Sequence, residues 1–212
     1  MKKHRKTIII TSIVTLMPII AGLLLWDRMP DRIVTHWGSD NVPDGWSSKS
    51  FAVFGIPAML LAIQFLMIFI TLNDPKKKNI GDRMLDMVFW IIPLTSLVAC
   101  LSTYGIAAGY DINIGFVMNL LVGVIFIIIG IFLPSIKQNY TVGIRLPWTL
   151  HSEENWNRTS RLSGRLWVAG GICMLINAYF QSEVLLFAVI IVITVIPALY
   201  SYMLFKKGRD SN

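Results

Sequence analysis

Charge is scarce in this sequence. Only 15% of its 212 residues are Asp, Glu, Lys or Arg, and 55% are hydrophobic, whereas ordinary soluble domains carry roughly 25% charged residues. That balance argues against a soluble domain. Cysteine is nearly lacking too: Cys100 and Cys173 both fall inside apolar runs, which supports neither a disulfide framework nor a Cys-based metal site. Acidic residues number 12 against 19 Lys and Arg, for a formal net charge of +7. The basic residues are scattered between apolar runs instead of gathered on one solvated surface, so direct nucleic-acid binding is not expected. With three histidines in the chain, no serine or cysteine near His36 has a second histidine to form a nucleophile and base pair. No catalytic residue is assigned, and the chain is read as a protein without enzymatic activity. Internal repeats, low-complexity segments and a separate soluble domain are also lacking.

Long apolar runs are what the sequence has in abundance. A bilayer core of about 30 Å needs roughly 20 apolar residues in a helix. Six runs meet that length: Thr7 to Trp26, Phe51 to Leu72, Met84 to Tyr104, Ile114 to Leu133, Leu162 to Phe180 and Val184 to Phe205. The opening MKKHRK looks like the start of a secretory signal peptide. The run behind it continues to Trp26 without a small-x-small cleavage site, so it is expected to stay as a first span. The expected fold is all-α: a polytopic membrane protein with six transmembrane helices. Asp86 and Arg165 sit near helix ends and no charge lies mid-span, which argues against a proton relay or ion path. Pro18, Pro57, Pro93 and Pro197 fall within spans, where they can kink a helix or serve packing. A small multipass transporter is one alternative reading; an intramembrane lipid-modifying enzyme using Arg145 and Glu153 is the other.

Counting Lys and Arg between spans sets the orientation. Sixteen of the 19 fall in the N-terminal tail (Lys2, Lys3, Arg5, Lys6), the second and fourth loops with their flanks, and the C-terminal tail. Only Arg28, Arg32 and Lys49 face the other way. Both termini are therefore expected in the cytoplasm. Two modules are expected, 1–80 with an extracellular loop at 27–50 and 81–212 with a cytoplasmic loop at 134–161.

The outer stretch, PDRIVTHWGSDNVPDGWSSKS, is read as a structured cap with its turn at Asp44-Gly45, stiffened by Pro43 and holding Trp37 and Trp46 near one another. An aromatic belt at the membrane surface explains the tryptophans as well as a ligand-facing surface does. His36, Asp40 and Asp44 fit no zinc spacing, and neither a metal nor another cofactor is expected. In the inner stretch, Gly143 breaks local structure, Pro147 forces Leu146 extended and Trp148 can anchor at the headgroups. Ser152 followed by Glu153 and Glu154 marks a helix start that continues into the fifth span. On that helix Trp156, Ser160, Ser163, Gly164 and Trp167 form a face of small residues bounded by tryptophans, which lets another helix approach closely. Arg158, Arg161 and Arg165 form a basic stripe suited to anionic lipid headgroups or to a docked protein, with Glu154 placed to pair with Arg158. The segment DPKKKNIGDR reads as a solvated turn.

These two stretches also carry a family resemblance. LWDRMPDRIVTHWGSDNVPDGWSSKS resembles an N-terminal membrane module of unknown function (DUF1648 type), of general form LPxxIPxHWxxxGxxDGWxxK. NYTVGIRLPWTLHSEENWNRTSRLSGRLW resembles the signature of the SdpI family of bacterial multipass immunity proteins, NxxxGIRTPWTLxSExxWxxTHRxxGxxW. The match carries over Asn139, Gly143, Ile144, Arg145, Pro147, Trp148, Thr149, Leu150, Ser152, Glu153, Trp156, Thr159, Arg161, Gly164 and Trp167, and on the outer side His36, Trp37, Asp44, Gly45, Trp46 and Lys49. Leu146 stands where the family has Thr, Ser160 where it has His, and Ser39 to Pro43 lacks a mid-loop glycine. The resemblance implies protection against a secreted antimicrobial toxin peptide, with sensing of that toxin and sequestration of a cytosolic transcriptional repressor at the membrane. It makes the outer residues toxin-facing and the inner ones, with their neighbours, a partner surface. The partners implied are membrane lipids, the toxin peptide and the repressor.

Overall fold

The computed structural model describes residues 4–38 and 41–209. Lys2, Lys3, Ser39 and Asp40, which enter the charge count, the loop comparison and the metal reading, lie outside the described residues. All six apolar runs are helical: α1 (Arg5–Leu24), α2 (Ile56–Leu72), α3 (Asp82–Ala107), α4 (Ile114–Phe132), α6 (Glu153–Phe180) and α7 (Glu183–Arg209), with the short α5 (Pro147–His151) before α6. Among the described residues, five helical stretches are long and apolar enough to cross a membrane: Arg5–Leu24, Phe51–Leu72, Asp82–Ala107, Ile114–Ser135 and Glu183–Gly208. They fit a multipass membrane protein. Their outward side chains agree, since Ile13, Ile20, Phe69 and Val184 stand exposed, a pattern that a water-soluble surface avoids over large areas. The 28-residue α6 is not in that set, because its first half holds Glu, Asn, Arg, Thr and Ser.

The mostly helical chain includes one small sheet. Strands β1 (Arg32–Trp37) and β2 (Pro43–Ser48) pair antiparallel, with Arg32 opposite Ser48, Val34 opposite Trp46 and Trp37 opposite Pro43. The turn is not at Asp44-Gly45, which lies inside β2. It is at Gly38 to Val42, where the Gly38 N–H donates to Val42 O at 2.9 Å and the Asn41 N–H to Gly38 O at 3.0 Å. Asn41 takes φ 59° there, a left-handed conformation that Asn tolerates better than most residues. The β-branched run Ile33-Val34-Thr35 favours extended backbone and draws Asp44-Gly45 into the pairing. The register shifts on either side of His36.

The chain packs as two compact units interleaved in sequence, Met1–Phe69 with Asp86–Leu121 and Ile70–Leu85 with Val122–Asn212. In the first, Met29, Ile33, Ala52, Val53, Cys100 and Tyr104 form a buried cluster, and the Tyr104 hydroxyl donates to Ala52 O at 2.9 Å. A widened turn at Phe51–Gly55 precedes α2. Pro57 has no N–H to close an ordinary helical bond there. Deeper in this unit, the fully buried Gln64 bonds Thr15 through Oε1 and donates from Nε2 to Thr11 Oγ1 at 2.9 Å, while the Ser96 hydroxyl donates to Thr15 O at 2.8 Å. Such hydrogen bonds join helices in a medium that offers little hydrophobic drive.

In the second unit, α4 and α6 meet through glycines. A Cβ on Gly164 would stand 2.7 Å from Gly130 O, and one on Gly171 would stand 2.6 Å from Gly123 O. The pairing runs antiparallel, and only glycine lets the two backbones come this close. On another side of α6, Met174 packs with Val189 and Ile193 of α7.

Candidate functional site

Two polar constructions carry the sequence-selected residues, one in each unit. The hairpin belongs to the first. His36 Nδ1 lies 2.6 Å from Asp44 Oδ1, an exposed pair across the strands. Gly45 is required beside it, because a Cβ there would stand 2.8 Å from His36 Cβ. Trp46 is half exposed, whereas Trp37 turns toward the helices and, with Thr35, forms the hairpin wall of a cavity of about 240 Å³. Lys49 faces inward. Its side chain is 13% exposed, and Nζ donates to Met29 O at 3.0 Å and Trp26 O at 3.3 Å while lying 4.9 Å over the Trp26 ring. It fastens the base of the hairpin to the end of α1. Among the described residues, no three His, Cys, Asp or Glu side chains gather into a possible metal site.

The second construction joins the segment 135–151 to the turn after α2. Asn139, fully buried, is its centre: Nδ2 donates to Lys137 O and Val142 O, both at 2.9 Å, and Oδ1 accepts from Thr141 N–H at 2.9 Å and Val142 N–H at 2.7 Å. Both polar atoms of one amide are thus used to fold a loop. Gly143, at φ 118°, then passes under the Trp156 ring, where a Cβ would come within 2.9 Å. Leu146 is extended before Pro147, and the Thr149 hydroxyl accepts from Leu146 N–H at 2.9 Å and lies 2.8 Å from Ile144 O, closing the start of α5. Ser152 caps α6 by accepting from Asn155 N–H at 3.2 Å, and Glu154 pairs with Arg158 at 3.1 Å.

Around this loop the tryptophans act as pins. Trp156 is buried and its Nε1–H donates to Ile136 O at 2.7 Å. Trp148 donates from Nε1 to Ser201 Oγ at 2.7 Å and packs beside Tyr202 and Phe205 of α7. Asn155 donates to Ser201 O at 2.8 Å, Thr159 bonds Asn155 Oδ1 at 3.0 Å, and Ser163 bonds Thr159 O at 2.8 Å. The face of small residues on α6 is buried, as its pattern predicts, with Gly164 against Gly130 and Pro134. Trp167 is half-buried against Phe126, and its buried Nε1–H has no hydrogen-bond partner among the described residues.

The structure therefore divides the selected inner residues by role. Asn139, Thr149, Trp156, Thr159 and Gly164 are interior, while Arg145, Pro147, Glu153 and Arg161 are exposed. Arg145 also braces the loop, Nη1 donating to Tyr140 O at 2.8 Å. Arg158 and Arg165 extend the exposed basic stripe. Tyr200 and Glu154 beside Arg158 push its guanidinium pKa further up, so it stays charged.

The residue that sequence reasoning missed is Asp74. The turn DPKKKNIGDR is not simply solvated: Asp74 is 5% exposed. Its Oδ2 accepts from Tyr140 N–H at 2.9 Å and Thr141 Oγ1–H at 2.5 Å, and Oδ1 accepts from Lys76 N–H at 2.7 Å. Lys76 Nζ reaches Gln138 Oε1 at 2.7 Å and Asn79 Nδ2 reaches Gln138 O at 2.7 Å. The only local signal was Asp before Pro, which marks a turn and says nothing of burial.

Comparison with known proteins places both constructions. Residues 135–201 match the SdpI/YfhL protein family, and residues 13–61 match the domain of unknown function DUF1648. Over its whole length the chain is 27% identical to Immunity protein SdpI of Bacillus subtilis (strain 168), and the match covers all of that protein. No solved structure gives a significant match. The hairpin lies inside one matched segment and most of the Asn139-centred loop inside the other, so the chain is similar to the SdpI/YfhL family over its C-terminal segment and to DUF1648 over the segment ahead of it.

Proposed function

We propose that this chain is an integral immunity protein of a bacterial cell membrane, protecting its cell against a secreted antimicrobial peptide. The observation that carries the reading is the end-to-end likeness to a protein named Immunity protein SdpI, with both family segments present. In this reading α6 is a sixth span whose polar first half stands at the cytoplasmic face, and both termini lie inside. The uneven split of Lys and Arg supports that orientation. The hairpin then faces the toxin, with His36, Asp44 and Trp46 presented and Gly45 and Lys49 fixing their geometry. The Asn139-centred loop is a rigid cytoplasmic platform. Arg145, Glu153 and Arg161 form a surface on it that recruits a cytosolic repressor once the toxin is bound. Binding, not turnover, is the chemistry. For sensing, toxin binding must favour one of two arrangements of the helices.

The test is survival of a sensitive bacterium, with and without the protein, against purified Sdp-type toxin peptide and an unrelated pore-forming peptide. Selective rescue is expected. Equal killing at normal membrane expression sinks the reading, and rescue that vanishes on collapse of the proton gradient turns it into export.

A further inference from the structure

We propose that the cavity behind the hairpin is the seat for one apolar side chain, aromatic or branched, of the secreted peptide. The inference rests on the immunity reading above and gives it a binding site. The cavity of about 240 Å³ is walled by Thr35 and Trp37 of β1, Cys100 and Tyr104 of α3, and Ile114 and Met118 of α4. An apolar hole of about 150 Å³ already holds a benzene ring, whereas pockets for drug-sized molecules begin near 300 Å³. The space therefore suits a single side chain better than a whole small molecule or a long lipid tail.

The lining is mostly apolar, and two of its polar groups are already engaged. Thr35 Oγ1 bonds Ser47 Oγ at 2.9 Å and the Tyr104 hydroxyl bonds Ala52 O at 2.9 Å. What the walls offer an occupant is mainly apolar contact, and a charged group entering there would lose its hydration without gaining a partner of opposite charge. The same hairpin also presents the exposed His36–Asp44 pair and Trp46. A desolvated apolar seat near polar and aromatic groups is the anatomy of an energetic centre in a protein interface. The hairpin can hold a peptide's backbone as well. Among the described residues its two strands pair only with each other, so their outer edges can accept an extended segment. Along such a segment every second side chain points to the same face, which is how one of them reaches the cavity.

The experiment uses the full chain in the membrane, purified Sdp-type toxin peptide as probe, and a photo-crosslinking phenylalanine analogue placed at Met118, with Phe116 as the exposed control. Wild-type protection is read first; its absence overturns the immunity reading and this inference with it. Given protection, the expected result is a toxin adduct from position 118 and little from 116. Filling the cavity from α3 by Ala99→Phe, or from α4 by Met118→Trp, should lower the tolerated toxin dose roughly tenfold or more, with membrane level and detergent melting unchanged for at least one variant. Full protection by well-folded filled variants, or lipid adducts alone at 118, overturns the inference and leaves the immunity reading standing.

Discussion

Asp74 and Thr141 lie 67 positions apart and share a hydrogen bond of 2.5 Å. Through it, the turn after α2 and the loop of the SdpI segment become one piece. Asp74→Ala orphans three donors, Lys76 N–H, Tyr140 N–H and Thr141 Oγ1–H. The expected loss is about 1–3 kcal/mol, read as a lower melting temperature in detergent with faster proteolysis between residues 138 and 146. Asp74→Asn, which keeps an acceptor oxygen, should fall between wild type and Ala. Melting unchanged in the Ala variant would contradict the tie.

Gly164→Ala tests the glycine contact of α4 and α6. Alanine is ordinarily the better helix former. Here its methyl would stand 2.7 Å from Gly130 O and from Pro134 Cγ, and a backbone oxygen cannot swing aside as a side-chain tip can. A loss of about 1–3 kcal/mol is expected. Gly208→Ala is the control, since nothing lies within 4 Å of the added carbon; it should be neutral or slightly stabilising in the same melting assay.

Gln64→Leu should cost little, about 0.6 kcal/mol and at most roughly 1.7, although Gln64 is fully buried. Thr11 and Thr15 retain bonds to the carbonyls of Ile8 and Thr11, so leucine strands few groups. Gln64→Glu would instead place an acid within a span and is expected to depress membrane level sharply. Quantitative immunoblots of membrane fractions, with Gln64→Leu alongside, check both.

Asp44→Ala tests the proposed toxin contact of the hairpin separately from its folding. The His36 and Asp44 side chains are 73% and 51% exposed, and solvent-screened pairs of that kind add little stability. Membrane level and melting should hold while toxin protection falls. Lys49→Ala should do the reverse first, lowering melting because Lys49 holds Trp26 and Met29. Protection unchanged in Asp44→Ala would remove that residue from the proposed toxin-facing surface.

Features fixed by near neighbours were legible in the sequence. The apolar runs, the Ser152 cap, the Glu154–Arg158 pair, the extended Leu146 and the small-residue face of α6 each depend on residues a turn or so away, and each appears as read. Distant partners decided the rest. Asp44-Gly45 has the local chemistry of a turn, yet strand pairing with His36 claims it and moves the turn to Gly38–Val42. Lys49 reads as a surface cation until Trp26 and Met29 present their carbonyls. Asp74 looks solvated beside three lysines, and only the fold brings Tyr140 and Thr141 over it.

The glycine pairs Gly123–Gly171 and Gly130–Gly164 act on α4 and α6 like two teeth of a rack. Each pair is separated from the other by seven residues, about 10 Å along either axis, so a slide by one turn would bring side chains onto backbone at both points together. Piston motion between these helices is barred. Gly170 meets α7 differently: a Cβ there would stand 3.0 and 3.1 Å from the γ-methyls of Val189 and Ile193, which are side chain and not backbone. Within this unit α7 is held through side chains, with Trp148 and Asn155 both bonded to its Ser201, so a shift of α7 would reach the loop through those two residues.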